Sequence, residues 1–139
     1  KWLISRLFWR VLLRVLGIRY GFQIALEAKI GGGLFIGHFG TVVISALAEI
    51  GENCNLAHGI TLGAARGKHA GAPQLGDRVW VGTGAVLVGN IRIGSDVLIA
   101  PNAYVNVDVP EHTLVIGNPA QLIPKGDPTK DYINHQWGI

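Results

Sequence analysis

Ile30 to Gly63 reads IGGGLF, IGHFGTVV, ISALAE, IGENCN, LAHGIT, LG. Each unit opens on an aliphatic residue, and a small residue usually follows. The step is six residues, except for two extra ones after His38. The same register extends outward in both directions. It begins at Ile24, runs to Leu62, breaks, and resumes from Leu75 through Val81, Leu87, Ile93 and Ile99 to Val105. Internal repetition of this length decides a fold before local propensity does. A six-residue unit makes one short strand and one corner, and three units close a triangular coil. The opener and the fifth residue point into the prism. The small second residue is expected to serve a tight corner, where glycine tolerates positive φ. A lone coil buries no core, so coils must stack, with strands about 4.8 Å apart. The reading is an all-β, parallel β-helix over residues 21–123.

Composition agrees. The chain has 139 residues, 49% hydrophobic and 15% charged, which suits one domain with a core of its own. Twenty glycines are too many for a helical protein. The net charge of +3 is mild and concentrated near the N-terminus, so no nucleic-acid partner is expected. Cys54 is the single cysteine. It excludes an internal disulfide and a cysteine-based zinc site, and it accords with a cytoplasmic protein. It falls at a fifth position, where a small buried core residue is expected. Lys1 and the lack of methionine are read as a trimmed chain or a fragment.

Before the repeat, KWLISRLFWRVLLRVLG spells a short amphipathic helix within residues 1–20, with Gly17 as its C-cap. Arg6, Arg10 and Arg14 make one basic stripe. The run is too short and too charged to span a bilayer. Two readings stand: packing on protein, or peripheral contact of residues 1–17 with the inner membrane face. Between Leu62 and Leu75 the run AARGKHAGAPQ is a projecting loop. After Val105, Gly117-Asn118-Pro119 makes a turn whose apolar neighbours cap the open end of the prism. In the tail, residues 124–139, Asp127-Pro128 suggests the start of a short helix.

Stacking gives the chemistry its place. The third positions of units opened by Ile36, Leu56, Val81 and Ile99 are His38, His58, Thr83 and Pro101. His38 and His58 should therefore sit about one strand spacing apart. Packing needs no histidine at an exposed corner, and an insertion beside one of them marks a site. Both are candidate catalytic residues. His69 in the loop is a third candidate, while His112 and His135 fall outside the repeat.

These segments also carry a family resemblance. GGGLFIGHFGTVVI, LAHGITLG, VWVGTGAVLVGNIRIG and VPEHTLVIGNPAQLI resemble the catalytic domain of left-handed β-helix, hexapeptide-repeat acyltransferases. The branch is that of the serine O-acetyltransferases and their shorter relatives associated with surface-polysaccharide acetylation. The resemblance implies acetyl-CoA as co-substrate, no metal, and a homotrimer with active sites between subunits. His38 matches the general base. His69 matches a second histidine near the substrate. Thr83 and Pro101 match positions lining the pantetheine arm, and Ala64 stands where a glycine contacts the cofactor. Gln23 stands where the family pairs its base with an acid, so Glu49 or Glu52 is an alternative partner. Gly37 replaces the acid that helps hold the amino group of serine. Arg66 or Lys68 is a displaced counterpart of the arginine that holds the serine carboxylate. These departures point to a saccharide hydroxyl as the acceptor, with serine as the alternative. Two other readings belong to different classes: a non-catalytic β-helix scaffold, and a zinc enzyme like the γ-type carbonic anhydrases. The zinc reading lacks the closely spaced histidine pair such a site needs.

Overall fold

A computed structural model describes residues 2–133 and 135–138. Helix α1 (Trp2–Tyr20) leads into short strands that stack in three parallel sheets. The first face stacks Phe22–Ile24, Val42–Ile44, Ile60–Gly63, Val86–Val88 and Tyr104–Val105. The second stacks Lys29–Ile30, Glu49–Ile50, Gln74–Leu75 and Arg92–Ile93. The third stacks Phe35–Ile36, Asn55–Leu56, Trp80–Val81, Val97–Ile99 and Thr113–Ile116, closed by the antiparallel Gln121–Pro124. The coil is a left-handed β-helix.

Register follows the openers. Ile24 pairs with Ile44, Ile44 with Leu62, Leu62 with Leu87, and Leu87 with Val105. Ile36, Leu56, Val81, Ile99 and Val115 align in the same way on the third face. Fifth-position residues join them inside: Ala48, Cys54, Val79, Ala85 and Ala103 are all buried. Burial of this apolar column is the main stabilising term, at about 25 cal/mol per Å² removed from water.

The small second residue has a different cause from the expected one. Left-handed backbone falls at the fourth position, as at Gly59, Gly84, Asn53, Asp96 and Asn102. The second position is small because the coils approach closely there. A Cβ on Gly51 would lie 2.5 Å from the carbonyl carbon and oxygen of Gly76, and one on Gly31 would lie 2.7 Å from those of Gly51. Two local expectations also change. α1 does not end at Gly17 but continues to Tyr20, and Gly21 at φ +78° turns the chain out of it. Gly17 is small because a Cβ there would meet the carbonyl oxygen of Phe22 at 2.6 Å.

Arg10 and Arg14 do not form a free outer stripe. They line the groove between α1 and the first coil, beside Gln23, Thr41 and Val43. Arg10 pairs with Glu27 at 3.5 Å. Phe8, Val11 and Val15 remain exposed. No helix among the described residues is long and apolar enough to cross a membrane.

The tail forms no helix at Asp127-Pro128, where Asp127 adopts φ +47°. It turns back as a strap along the third face. Thr129 and Ile133 are buried. The Thr129 hydroxyl donates to the carboxylate of Asp96. Asn55 Nδ2 donates to Tyr132 O at 3.2 Å, and Tyr132 packs on Trp80 with ring centroids 4.9 Å apart. His135 stacks on Phe35 at 4.2 Å, and the Trp137 amide donates to Asn53 Oδ1 at 2.6 Å. The described residues of the tail thus reach along the third face from Asp96 to Phe35.

Candidate active site

His38 and His58 meet as the register requires. Both lie at the corner between the third and first faces, with ring centroids 5.5 Å apart and planes at 89°. An amide ladder holds that corner. Gly59 N–H donates to Thr41 O at 2.6 Å, Gly84 N–H to His58 O at 3.2 Å, and Asn102 N–H to Thr83 O at 2.9 Å. His38, His58, Thr83 and Pro101 therefore form one edge of the prism, as the sequence order of their units predicts. The same ladder occupies the amides of Gly59, Gly84 and Asn102, so an oxyanion donor must come from another group. Both histidines are exposed, so a hydroxyl in solution can reach either imidazole.

The two extra residues form a bulge pinned from both sides. Gly40 N–H donates to Tyr20 O at 3.2 Å, and a Cβ on Gly40 would touch His58 Cβ at 3.4 Å. Phe39, at the crest of this bulge, is 84% exposed. Sequence reasoning placed the insertion but gave Phe39 no role. Its signal was present in the sequence as a large aromatic inside a register break.

The remaining candidates lie elsewhere on the chain. Gln23 lies on the first face, paired with Val43, and its side chain faces the α1 groove. No hydrogen bond joins it to His38 among the described residues. Glu49 lies on the second face, 2.6 Å from Lys29 Nζ, and Glu52 lies at the corner between the second and third faces. Neither carboxylate shares the histidine corner.

Ala64 starts the loop. Ala65 and Gly71 pinch its neck, with Ala65 N–H donating to Gly71 O at 2.9 Å and Gly71 N–H to Ala65 O at 3.3 Å, and Gly67–His69 forms a single 3-10 turn. Asn90 N–H donates to His69 O at 3.2 Å, which ties the loop to the next coil. Arg66, Lys68 and His69 are exposed at the outgoing edge of the first face. His38 and His58 lie at its incoming edge. One face of the prism separates the two groups, roughly 15–20 Å for a six-residue unit.

Two titratable groups outside this corner are perturbed. Burial pushes the Cys54 thiol up to about 11, and its S–H donates to Gly76 O at 3.2 Å. Cys54 is thus a core group, as its repeat position predicted, and no nucleophile. For Asp96, burial alone would raise the carboxyl. The Thr129 hydroxyl, His112 and the Thr129 amide outweigh it and hold the carboxyl below its ordinary value. His112 Nδ1 lies 2.7 Å from Asp96 Oδ2. The sequence left His112 without a role, and the structure gives it one in fastening the tail.

The repeat, the register and the histidine corner together make this chain a hexapeptide-repeat, left-handed β-helix protein. Residues 72–106 match the family described as "Bacterial transferase hexapeptide (six repeats)". Within that class its sequence and fold are similar to those of serine acetyltransferases. It is 46% identical over 107 residues to serine acetyltransferase of Helicobacter pylori, covering 76% of this chain and 62% of the relative. The crystal structure of Neisseria gonorrhoeae serine acetyltransferase (CysE) in complex with serine superposes with a TM-score of 0.75. That match has 33% identity and covers 86% of this chain and 49% of the other. Serine acetyltransferase of Brucella abortus in complex with coenzyme A gives a TM-score of 0.66 at 35% identity, over 72% and 40% of the two chains. The chain thus spans less than two thirds of the length of these relatives.

Proposed function

We propose that this chain is the catalytic β-helix of an acetyl-CoA-dependent O-acetyltransferase, with His38 as general base and serine as acceptor. The stacked His38–His58 pair beside the register-breaking bulge carries the reading. Likeness to serine acetyltransferases, one of them described in complex with serine and one with coenzyme A, supports the substrates.

A free hydroxyl is too weak an acid to attack a thioester unaided. The neutral imidazole of His38 takes the hydroxyl proton as the oxygen bonds to the acetyl carbonyl carbon. The tetrahedral intermediate collapses, the C–S bond breaks, and the thiolate of coenzyme A leaves. The imidazolium returns its proton to that sulfur. No covalent enzyme intermediate is needed. His58 crosses the His38 ring edge-on and limits how that ring turns. Thr83 and Pro101 continue the same edge, where the pantetheine arm would run, and Ala64 would meet the cofactor from the loop.

A homotrimer completes the site. The loop residues Arg66, Lys68 and His69 lie across a whole face from His38, too far to act on the same acetyl group. They reach the histidine corner of a neighbouring prism instead. Gln23 at the first coil supplies no negative charge to an imidazolium. A saccharide hydroxyl is the second reading, favoured by that neutral residue and by Gly37 beside the base. A protein with these properties works in the cytoplasm. The exposed apolar arc of α1 is covered by a partner helix or by an anionic membrane surface, and vesicle flotation separates the two.

The test is release of coenzyme A thiol from acetyl-CoA with serine and with methyl glycosides as acceptors. His38→Ala is expected to lower kcat by about 10²–10⁴-fold while acetyl-CoA still binds. Full activity in His38→Ala, with loss in His58→Ala, would transfer the base to His58. No thiol release with any acceptor, together with no binding of acetyl-CoA, would leave the scaffold reading.

A further inference from the structure

We propose that Phe39 forms the apolar wall of the acceptor subsite and sets acceptor selectivity; this rests on the transfer reaction argued above. Three observations converge. Phe39 is 84% exposed, more than any other large apolar side chain described. An aromatic ring left open to water gains contact area when the apolar surface of a ligand lies on it. Second, its backbone is not loose. The bulge is bonded through Gly40 N–H to Tyr20 O below, and Gly59 N–H reaches back to Thr41 O from above, at 2.6 Å. Gly21 lies under the bulge so closely that a Cβ there would meet Gly40 C at 2.9 Å. The ring is therefore held up by a fixed support. Third, the insertion adds only Phe39 and one neighbour to the unit before the register resumes, and it does so directly after the base. Bulges of this kind re-aim a side chain beside a site.

The chemistry this wall recognises is a hydroxyl borne on a carbon skeleton whose C–H surface can lie against an aromatic ring. That surface comes either from the methylene of serine or from the C–H face of a pyranose. The position next to the base holds Gly37, which has no side chain to compete for the acceptor. Phe39 is then the largest side chain in the bulge that the acceptor must pass.

The experiment varies acceptor at saturating acetyl-CoA, and acetyl-CoA at saturating acceptor, for the wild type, Phe39→Ala and Phe39→Tyr. Serine and methyl glycosides are the acceptor arms. Phe39→Ala is expected to raise the acceptor KM roughly ten-fold and leave the acetyl-CoA KM within about two-fold. Phe39→Tyr should restore the acceptor KM. The arm whose KM moves identifies the acceptor. An unchanged acceptor KM in Phe39→Ala overturns the proposal while the transfer reaction stands. So does a rise in both KM values with loss of the oligomer by light scattering, which would make Phe39 a subunit contact. A wild type that releases no thiol with any acceptor overturns the reaction itself.

Discussion

Replacing Asp96 by Asn tests whether the tail is a fastened strap. Asp96 is 3% exposed and accepts hydrogen bonds from the Thr129 hydroxyl, the Thr129 amide and His112. Hydrogen bonds to a charged acceptor contribute about 1.5–3 kcal/mol each, and the contributions are not additive. The His112 side chain is 50% exposed, so solvent screening weakens its share. The loss on Asp96→Asn is then on the order of 3 kcal/mol. It should fall on the strap first, because local opening costs less than unfolding of the coils. Such a loss is roughly a hundred-fold in the opening equilibrium. Hydrogen exchange followed by mass spectrometry should show faster exchange by that factor over residues 125–133. The amides of Val97–Ile99 beneath should change little. The pH dependence has a definite sign. The folded carboxyl lies below its ordinary 3.8, so its stabilisation is complete above that value. It disappears as pH falls through the lower folded value, and the two proteins converge there. Unchanged strap exchange, with faster exchange at Val97–Ile99, would refute the strap and make Asp96 a support of the coil.

Two further outcomes follow from the core. Gly76→Ala places a Cβ 2.7 Å from Ser95 Oγ and 2.8 Å from Ser95 N, so stacked coils must part, and thermal unfolding should show a loss of about 1–3 kcal/mol. Cys54, fully buried with its thiol near 11, should resist alkylation at pH 8 in the folded protein and react promptly in denaturant; native-state alkylation would contradict its core position.

What could be read from the sequence was whatever repeats. Each opener predicted one inward residue, and every coil repeated the test, so the register and the His38–His58 contact were fixed together. Single events were not legible in that way. Gly17 resembled a helix stop because a glycine after an apolar run commonly is one. Its actual constraint, the carbonyl of Phe22, is set by how α1 meets the first coil. The second-position glycines were assigned to a turn because composition cannot distinguish positive φ from close approach. Only the spacing of stacked coils does. The strap was hidden for a stronger reason. Its contacts join Thr129 to Asp96 and Trp137 to Asn53 across long stretches of chain, with no periodicity to announce them.

The same logic explains where chemistry can reside on this fold. A strict coil places its side chains either in a sealed core or on flat, repeated faces, and neither gives a convergent pocket. Convergence needs a departure from the period. The described chain departs from the period at the bulge at Phe39, at the loop from Ala64 to Pro73, in the shortened last coil with its antiparallel strand, and in the strap. The bulge and the loop flank opposite edges of the first face, which leaves that face open between them. The strap covers the third face. Asn55 and Trp80 there are engaged by the tail, so that face is closed to a neighbouring prism along the line of the strap. A second copy that joins the loop to the histidine corner must therefore approach from the first-face side.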